Sequence, residues 1–189
     1  FINYSKQPHN PETIRKLKIN IGGISKLSKE RLLDELRKIV SLTTLEKISK
    51  DRLILDLISV IFPELKNIKI FSKLNENQKV FLVNTDFIFL LSLMIIDETD
   101  NVDYFLYKFN ISKKNQKRIK IIDKFFKEKK NINTFSEKNM NKIFYYSGRQ
   151  AVIDILQFRI INSKKFDKKL MELIKIYKDK ISPVMPVRA

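Results

Sequence analysis

Residues 26–41 read KLSKERLLDELRKIVS and carry the clearest helical pattern in the chain. Ser28 stands where a helix N-cap is expected, because a hydroxyl oxygen there accepts a hydrogen bond from a free backbone N–H. Leu27 before it and Leu32 after it predict a hydrophobic staple. The apolar residues recur three and four positions apart, which places them on one helix face: Leu32, Leu33, Leu36, Ile39 and Val40. The stretch predicts an amphipathic helix.

Helical spacing also recurs on both sides of this stretch. Asn10 is followed by Pro11, which predicts the N-cap and first position of a helix that ends at Gly22-Gly23. Ser49 is predicted to cap another helix, which stops near Pro63 because the residue before a proline is disfavoured in helical conformation. These segments favour a helical first half of the chain.

Residues 80–96 are the most apolar stretch of the chain. Seventeen residues lie at the short limit of what can cross a bilayer. The stretch also contains polar side chains, which a membrane span disfavours: Asn84, Thr85, Asp86 and Ser92. We therefore predict one buried helix here and no membrane partner.

The polar segment DETDN (97–101) follows this apolar stretch and is the one plausible division of the chain. We predict a first part over residues 1–97 and a second part over residues 98–189. Five further helical segments follow the break, with serines at three expected cap positions: Ser112, Ser136 and Ser163. Only 3 Gly and 5 Pro occur, too few for the many turns of a β-sandwich or barrel. The prediction is an all-α, irregular array of about nine or ten helices.

The composition excludes several kinds of site. The chain has 189 residues, enough for a real hydrophobic core, with 43% hydrophobic and 31% charged residues. It has no Cys, which excludes disulfides and thiolate metal sites and fits a reducing compartment, so we predict a cytoplasmic location. With His9 as its one histidine, a His-based zinc site is implausible.

The net charge of +17, with a pI of about 9.9, has two interpretations. So large a surplus repels itself in a compact fold, and its usual reason is a polyanionic partner such as a nucleic acid. The abundance of Lys, Asn and Ile also fits compositional drift in an AT-rich genome. Charge alone leaves both open and does not say which nucleic acid is bound.

Catalytic motifs are not evident in the sequence. Gly22-Gly23 lacks the preceding strand, the further glycines and the Lys of a phosphate-binding loop. The acidic residues at 97–100 fall in a polar turn and not in a pattern suited to two Mg²⁺ ions. Read from its residues alone, the chain is a support and a binding surface.

The segment LSKERLLDELRKIV (27–40) resembles the "(I/L)S-x-E-R-(I/L)-x-x-E-L-x-K-(I/L)" element of the bacterial-type tRNA nucleotidyltransferase/poly(A) polymerase family. Four further segments are similar to family segments in the same order: 52–65, 109–122, 143–160 and 185–189. Two positions depart from the family pattern. Ala189 stands where Gly is usual, and Tyr146-Ser147 replaces the common Arg before Gly148, which weakens the transfer of a phosphate contact to that place.

This resemblance implies the helical neck, body and tail of such an enzyme without its catalytic head. The chain opens FINYS with no Met, which we interpret as the tail of the nucleotide-selecting helix and as the mark of a fragment. In the family, paired carboxylates of the head hold Mg²⁺ while the RNA 3′-hydroxyl attacks the α-phosphate of CTP or ATP. The resemblance thus implies no catalytic residue, metal or cofactor in this chain, which alone should be inactive.

The resemblance also implies a role for the charged start of the 27–40 helix: support of the nucleotide pocket by Ser28, Glu30, Arg31 and Glu35. Arg31 and Glu35 are four residues apart and can pair on one helix face. If the nucleotide-selecting helix covers them, Arg31 would act as a fixed set of hydrogen-bond donors. The alternative is capping and surface pairing alone.

The implied RNA partner is the acceptor arm of tRNA, bound through its phosphates and its A-form shape. The predicted RNA-binding residues are Lys113, Lys114, Lys117, Arg118, Lys142 and Arg149. Further candidates lie near the end of the chain: Lys164, Lys165, Lys168 and Lys169. Two alternatives to CCA addition remain open: poly(A) addition by the same family, and a non-enzymatic helical RNA-binding or protein-interaction module.

Overall fold

The computed structural model describes residues 10–128, 132–163 and 167–181. Over these ranges the chain forms α-helices joined by short turns and 3-10 helices, with no β-strand, which confirms the all-α prediction. The helices are α1 (Pro11–Ile19), α2 (Lys29–Ile39), α3 (Leu42–Lys50), α4 (Arg52–Ile61), α5 (Glu76–Leu82), α6 (Phe87–Ile95), α7 (Asn101–Phe109), α8 (Lys113–Glu128), α9 (Glu137–Ser147), α10 (Arg149–Asn162) and α11 (Lys168–Asp179). The 3-10 helices span Asn20–Lys26, Ile68–Ser72 and Ile132–Phe135.

Several predicted helix starts are confirmed by their side-chain caps. The Ser28 hydroxyl accepts a hydrogen bond from the backbone N–H of Arg31 at 3.2 Å. The Asn10 side chain accepts one from the N–H of Glu12 at 2.8 Å, and Ser136 caps α9 in the same way. Each cap satisfies a backbone donor that has no partner within its own helix.

Two aspartates begin helices at places that the sequence pattern did not predict. Ser49 lies inside α3, where its hydroxyl donates to the carbonyl of Glu46, and the carboxylate of Asp51 caps α4 instead. Asp86 likewise interrupts residues 80–96, because its carboxylate accepts from the N–H groups of Ile88 and Phe89 and so begins α6. The eleven α-helices of the described residues are close to the predicted count of about nine or ten.

Two other predicted boundaries differ from those observed. Gly22 and Gly23 lie within a 3-10 helix that continues from α1, and Leu27 is the residue at which this element ends. Ser163 ends α10, whereas the carboxylate of Asp167 caps α11. Glycine pairs and serines are compatible with several local conformations, so the sequence pattern did not distinguish among them.

The chain forms two compact units, Phe1–Gln116 and Lys117–Ala189. The polar break at 97–101, predicted as the division, lies inside the first unit. There the Asn101 side-chain amide donates to the carbonyls of Glu64 and Ile95, at 2.8 and 2.7 Å. These bonds tie the turn to neighbouring elements of the same unit.

The core of the first unit surrounds α6. Every residue from Ile88 to Ile95 is buried, because α7 and the 3-10 helix at Ile68–Ser72 both pack against α6. In the described residues, no helix combines the length and the hydropathy that crossing a bilayer requires. The most apolar stretch of the sequence is thus the centre of a core.

The second unit is built around α10, against which α9 and α11 both pack. Most of α10 is buried, including Asp154, whose side chain is 0% exposed. Tyr177 of α11 is also fully buried, and its hydroxyl donates to the Asn141 side-chain oxygen at 2.8 Å. These contacts join α9 and α11 to each other as well as to α10.

Candidate nucleic-acid interface

The positive charge of the chain is unevenly divided between the two units. Residues 117–189 carry 19 Lys and Arg against 7 Asp and Glu, a net charge of +12. Residues 1–116 also carry 19 Lys and Arg, but against 14 Asp and Glu, a net charge of +5. The second unit is therefore the stronger attractor for a polyanion.

Several acidic side chains of the second unit are engaged within it. Arg118 pairs with buried Asp154, and Lys127 contacts Asp123 at 2.8 Å. Among its described residues, exposed cations outnumber exposed acids, which are Glu128, Glu137, Asp167, Glu172 and Asp179. The exposed cations are Lys117, Lys120, Lys124, Lys138, Lys142, Arg149, Arg159, Lys168, Lys169, Lys175 and Lys178. This surface is the candidate nucleic-acid interface.

The predicted RNA-binding residues of α8 behave in two ways. Lys113, Lys114 and Lys117 are exposed, as a phosphate contact requires. Arg118 instead directs its guanidinium inward, donating from Nε and one Nη to the two carboxylate oxygens of Asp154 at 2.7 and 3.0 Å. Arg118 therefore neutralises a buried charge inside the unit. Its role as a phosphate ligand stays a prediction.

The predicted contacts at the junction of α9 and α10 are both exposed. Lys142 lies on α9, one turn before the junction, and Arg149 is the first residue of α10. The Arg149 guanidinium donates to the backbone carbonyl of Lys180 at 2.7 Å, which uses one of its five N–H donors. Arg149 thus holds the end of α11 while the rest of its guanidinium remains available to solvent.

The additional lysines near the end of the chain are only partly placed. Lys168 and Lys169 are exposed in the first turn of α11. Lys164 and Lys165 lie outside the described residues, as does the segment 185–189 used for the family resemblance. The prediction of phosphate contacts by these residues stays a prediction.

The charged start of α2 is a capped, exposed helix end. Ser28 acts as the N-cap, while Glu30, Arg31 and Glu35 are exposed. Glu35 pairs with Lys38 at 2.8 Å, and the hydrogen bond and charge of Lys38 lower the pKa of Glu35, with Arg31 adding a smaller effect. Residues 1–9, whose FINYS segment was interpreted as the tail of the nucleotide-selecting helix, lie outside the described residues. Support of a nucleotide pocket therefore stays a prediction.

Exposed tyrosines are the feature that sequence patterns missed. Aromatic residues ordinarily belong to apolar, buried helix faces, yet Tyr145 and Tyr146 are 44% and 69% exposed. The spacing within α9 contained the signal. Met140 and Phe144 form its buried face, and residues one and two positions after Phe144 turn away from that face.

Metal-binding potential is absent from the described part of the chain, where no three or more His, Asp or Glu side chains are grouped to hold an ion. Comparisons with protein-family models, with curated proteins and with solved structures find no match to the chain.

Proposed function

We propose that this chain binds structured RNA through phosphate contacts, as the helical part of a nucleotidyltransferase that acts on the tRNA acceptor arm. The observation that carries the proposal is the excess of exposed cations on the second unit, with its net charge of +12. A cationic surface of this size concentrates polyanions and releases their counterions on binding.

The kind of cation supports recognition of shape and not of base sequence. The chain has 30 Lys and 8 Arg, and Arg118 and Arg149 already make bonds within the second unit. Lysine is a point charge without the planar fork that reads guanine edges in a groove. An A-form duplex presents regularly spaced phosphates, which lysines can contact without reading bases.

The enzyme assignment rests on the ordered sequence resemblance, and its most specific form is CCA addition. In this assignment, Mg²⁺, CTP and ATP bind a head unit that is not part of this chain. The residues of this chain then position RNA and perform no bond-making step. We expect no incorporation of labelled ATP or CTP into tRNA by the pure chain, and incorporation would contradict the assignment of chemistry to a head.

Binding can be tested by fluorescence anisotropy with a labelled tRNA acceptor-stem hairpin. We expect the logarithm of the association constant to fall linearly with the logarithm of salt concentration, because phosphate contacts release counterions. An affinity that does not change with salt would contradict the proposed phosphate contacts.

A lysine variant with a matched control locates the interface. The triple variant Lys117→Ala/Lys168→Ala/Lys169→Ala removes three exposed lysines of the second unit. It should reduce the salt slope by about one for each phosphate that no longer meets a lysine. The control removes three exposed lysines of the first unit that were not predicted to bind RNA: Lys66, Lys69 and Lys73. Equal decreases in both variants would indicate a general charge effect and overturn the assignment to the second unit.

Two alternatives are separated by other measurements. Ordered addition of two C and one A to tRNA lacking its CCA end, by a longer polypeptide that includes this chain, would support CCA addition. A run of A residues would support poly(A) polymerase. The non-enzymatic alternative predicts that the coding sequence before Phe1 encodes no nucleotidyltransferase head.

A further inference from the structure

Tyr145 and Tyr146 form an exposed aromatic pair at the end of α9. Their rings meet edge to face, with centroids 5.1 Å apart and planes at 89°. Tyr145 is 44% and Tyr146 69% exposed, so ring surface of both residues faces solvent. Two large adjacent aromatic side chains left open to water constitute a surface that a ligand could cover.

Cations lie on the same side of α9 as this pair. Lys142 precedes the tyrosines by one turn and Lys138 by two, and both are exposed, whereas Met140 and Phe144 form the opposite, buried face. The sequence from 138 to 153 contains three cations and no Asp or Glu. The tyrosine pair therefore lies in an entirely basic stretch.

The helix that carries the pair is firmly held. The Phe144 ring packs against the Tyr177 ring at 5.6 Å, and Asn141 accepts a hydrogen bond from the Tyr177 hydroxyl at 2.8 Å. Beyond the pair, Arg149 binds the carbonyl of Lys180. Because α9 and the start of α10 are both fixed to the end of α11, the tyrosines are presented at a defined place, which lowers the entropic cost of binding.

We propose that Tyr145 and Tyr146, together with Lys142 and Arg149, form a stacking surface for unpaired bases of a single-stranded nucleic acid. The exposed rings supply flat faces for the bases, and the two cations lie beside them for the phosphates. The proposal rests on the proposed function in that the ligand is RNA, and it adds a contact with unpaired nucleotides to the duplex contact.

The charge and exposure favour this ligand over two others. In a duplex the base faces already stack on each other, so exposed side-chain rings find base faces mainly in single strands. A protein partner would have to be strongly acidic as well as apolar to match Tyr146 and its basic surroundings. Single-stranded nucleic acid combines negative charge with exposed π faces in every nucleotide.

A second tyrosine pair provides a matched control. Tyr104 and Tyr107 of α7 are 58% and 86% exposed, so they equal the α9 pair in kind and exceed it in exposure. They follow an acidic stretch that includes Asp100 and Asp103 and belong to the first unit. Removal of this pair makes the same chemical change in an acidic environment.

The experiment measures anisotropy of a labelled 12-nucleotide oligo(A) RNA with the full chain and its variants. We expect Tyr145→Ala/Tyr146→Ala to weaken binding about tenfold or more, because stacking on aromatic rings contributes to the affinity for each base. Tyr145→Phe/Tyr146→Phe should retain most of the affinity, and Tyr104→Ala/Tyr107→Ala should be unchanged. An abasic oligonucleotide of equal length should not distinguish the Ala variant from the wild type.

Intrinsic tyrosine fluorescence gives a second readout that does not need the alanine variant to fold. The chain has 6 Tyr and no Trp, so stacking of adenine on the α9 pair should quench tyrosine emission in the wild type. The quenching should be clearly smaller in the Phe variant. Equal quenching in both proteins would overturn the proposal, and so would equal oligo(A) affinity of the wild type and a folded alanine variant.

The two proposals fail in distinguishable ways. If hairpin binding depends on Lys117, Lys168 and Lys169 but oligo(A) binding does not depend on the α9 tyrosines, the stacking surface is wrong and the phosphate interface stands. If wild type binds neither RNA, both are wrong. A DNA oligonucleotide of the same base sequence tests whether the surface binds RNA or DNA more tightly. Tighter binding of DNA would contradict the assignment of RNA as the ligand.

Discussion

At the scale of single residues, Asp154 carries the most information about the second unit. It is a charged side chain with no exposed surface, and Arg118 and Gln150 donate three hydrogen bonds to its carboxylate at 2.7–3.0 Å. A carboxylate is excluded from an apolar core by several kcal/mol unless its oxygens are paired. The pair thus couples the first part of α8 in this unit to α10.

We predict that Arg118→Met destabilises the chain by about 3–5 kcal/mol, because it leaves a buried carboxylate without its cation. The free energy of unfolding in urea, followed by circular dichroism, measures the decrease. The double variant Arg118→Met/Asp154→Leu should recover much of it, since apolar residues of similar size can replace a buried ion pair. Equal stability of the single and the double variant would contradict the explanation that an unpaired buried carboxylate causes the loss.

Tyr177 supplies a prediction about pH. Burial raises the pKa of the Tyr177 phenol, and the charge of Glu137 adds to the increase. In the unfolded chain the phenol ionises near pH 10, so its stabilising contribution is complete below that pH and is lost as the pH rises above it. We expect the stability difference between wild type and Tyr177→Phe, about 1 kcal/mol at pH 8, to shrink above pH 10.

The measurement is urea unfolding of both proteins at pH 8 and above pH 10. Absorbance of ionised tyrosine provides a check, because burial should move the ionisation of Tyr177 to a higher pH than the ordinary value for a tyrosine. Tyr177→Phe should therefore leave the early part of the alkaline titration unchanged. If Tyr177→Phe instead lost part of the early absorbance change, Tyr177 would ionise with an ordinary pKa. That result would contradict the effect of burial.

At the scale of elements, the turn between α9 and α10 depends on one backbone conformation. Gly148 has φ 84° and ψ 175°, a region that is essentially restricted to glycine, and no side chain caps the α10 N-terminus there. An added Cβ would meet no atom within 4 Å, so the conformation and not crowding requires glycine. The turn sets the positions of Tyr146 and Arg149 on either side.

We predict that Gly148→Ala destabilises the chain by about 1–3 kcal/mol through backbone strain. Gly23→Ala is the matched control, because Gly23 also has open space around a Cβ but no left-handed φ. The control should be neutral or slightly stabilising, since alanine lowers the entropy of the unfolded chain. Thermal unfolding of both variants checks the prediction, and similar destabilisation of both would contradict it.

At the scale of the whole molecule, net charge acts on stability and on binding in opposite directions. The +17 surplus destabilises the folded chain through self-repulsion, which salt screens. Salt also weakens phosphate contacts, because the counterions released on binding then return to a more concentrated solution. The two effects can be separated by measuring stability in the absence of RNA.

We expect the melting temperature of the free chain to rise between about 20 and 200 mM NaCl, where the Debye length falls severalfold. The affinity for the acceptor-stem hairpin should fall over the same range. Variants that exchange exposed lysines of α11 for Gln should show a smaller salt-dependent rise. A melting temperature that falls with salt would indicate that favourable ion pairs outweigh repulsion.

Local sequence signals predicted the helices well where a cap and an apolar stripe agreed. Ser28 and the leucines after it defined α2, and Asn10 with Pro11 defined α1. The signals did not predict the helix start where an Asp in or beside an apolar run acts as the N-cap, as Asp51 and Asp86 do. An aspartate fits a helix surface or a helix start, and only the surrounding packing selects between them.

The candidate interface was predicted in part. The exposure of Lys142 and Arg149 agrees with a binding role. Arg118 has the same charge as its cationic neighbours in α8, but its guanidinium pairs with Asp154 inside the unit. Its partner Asp154 lies 36 residues away in sequence, which no local pattern connects. The exposed tyrosines were missed because ring residues ordinarily belong to cores.

The amino-acid sequence by itself determined that the chain is helical, that its apolar faces need neighbours and that it is strongly basic, because periodicity, capping and charge are local properties. Tertiary structure alone decided which charged side chains form ion pairs within the fold and which are exposed to solvent. Burial depends on residues distant along the chain, so the pairing of Arg118 with Asp154 and the exposure of Tyr145 and Tyr146 follow from packing around α10.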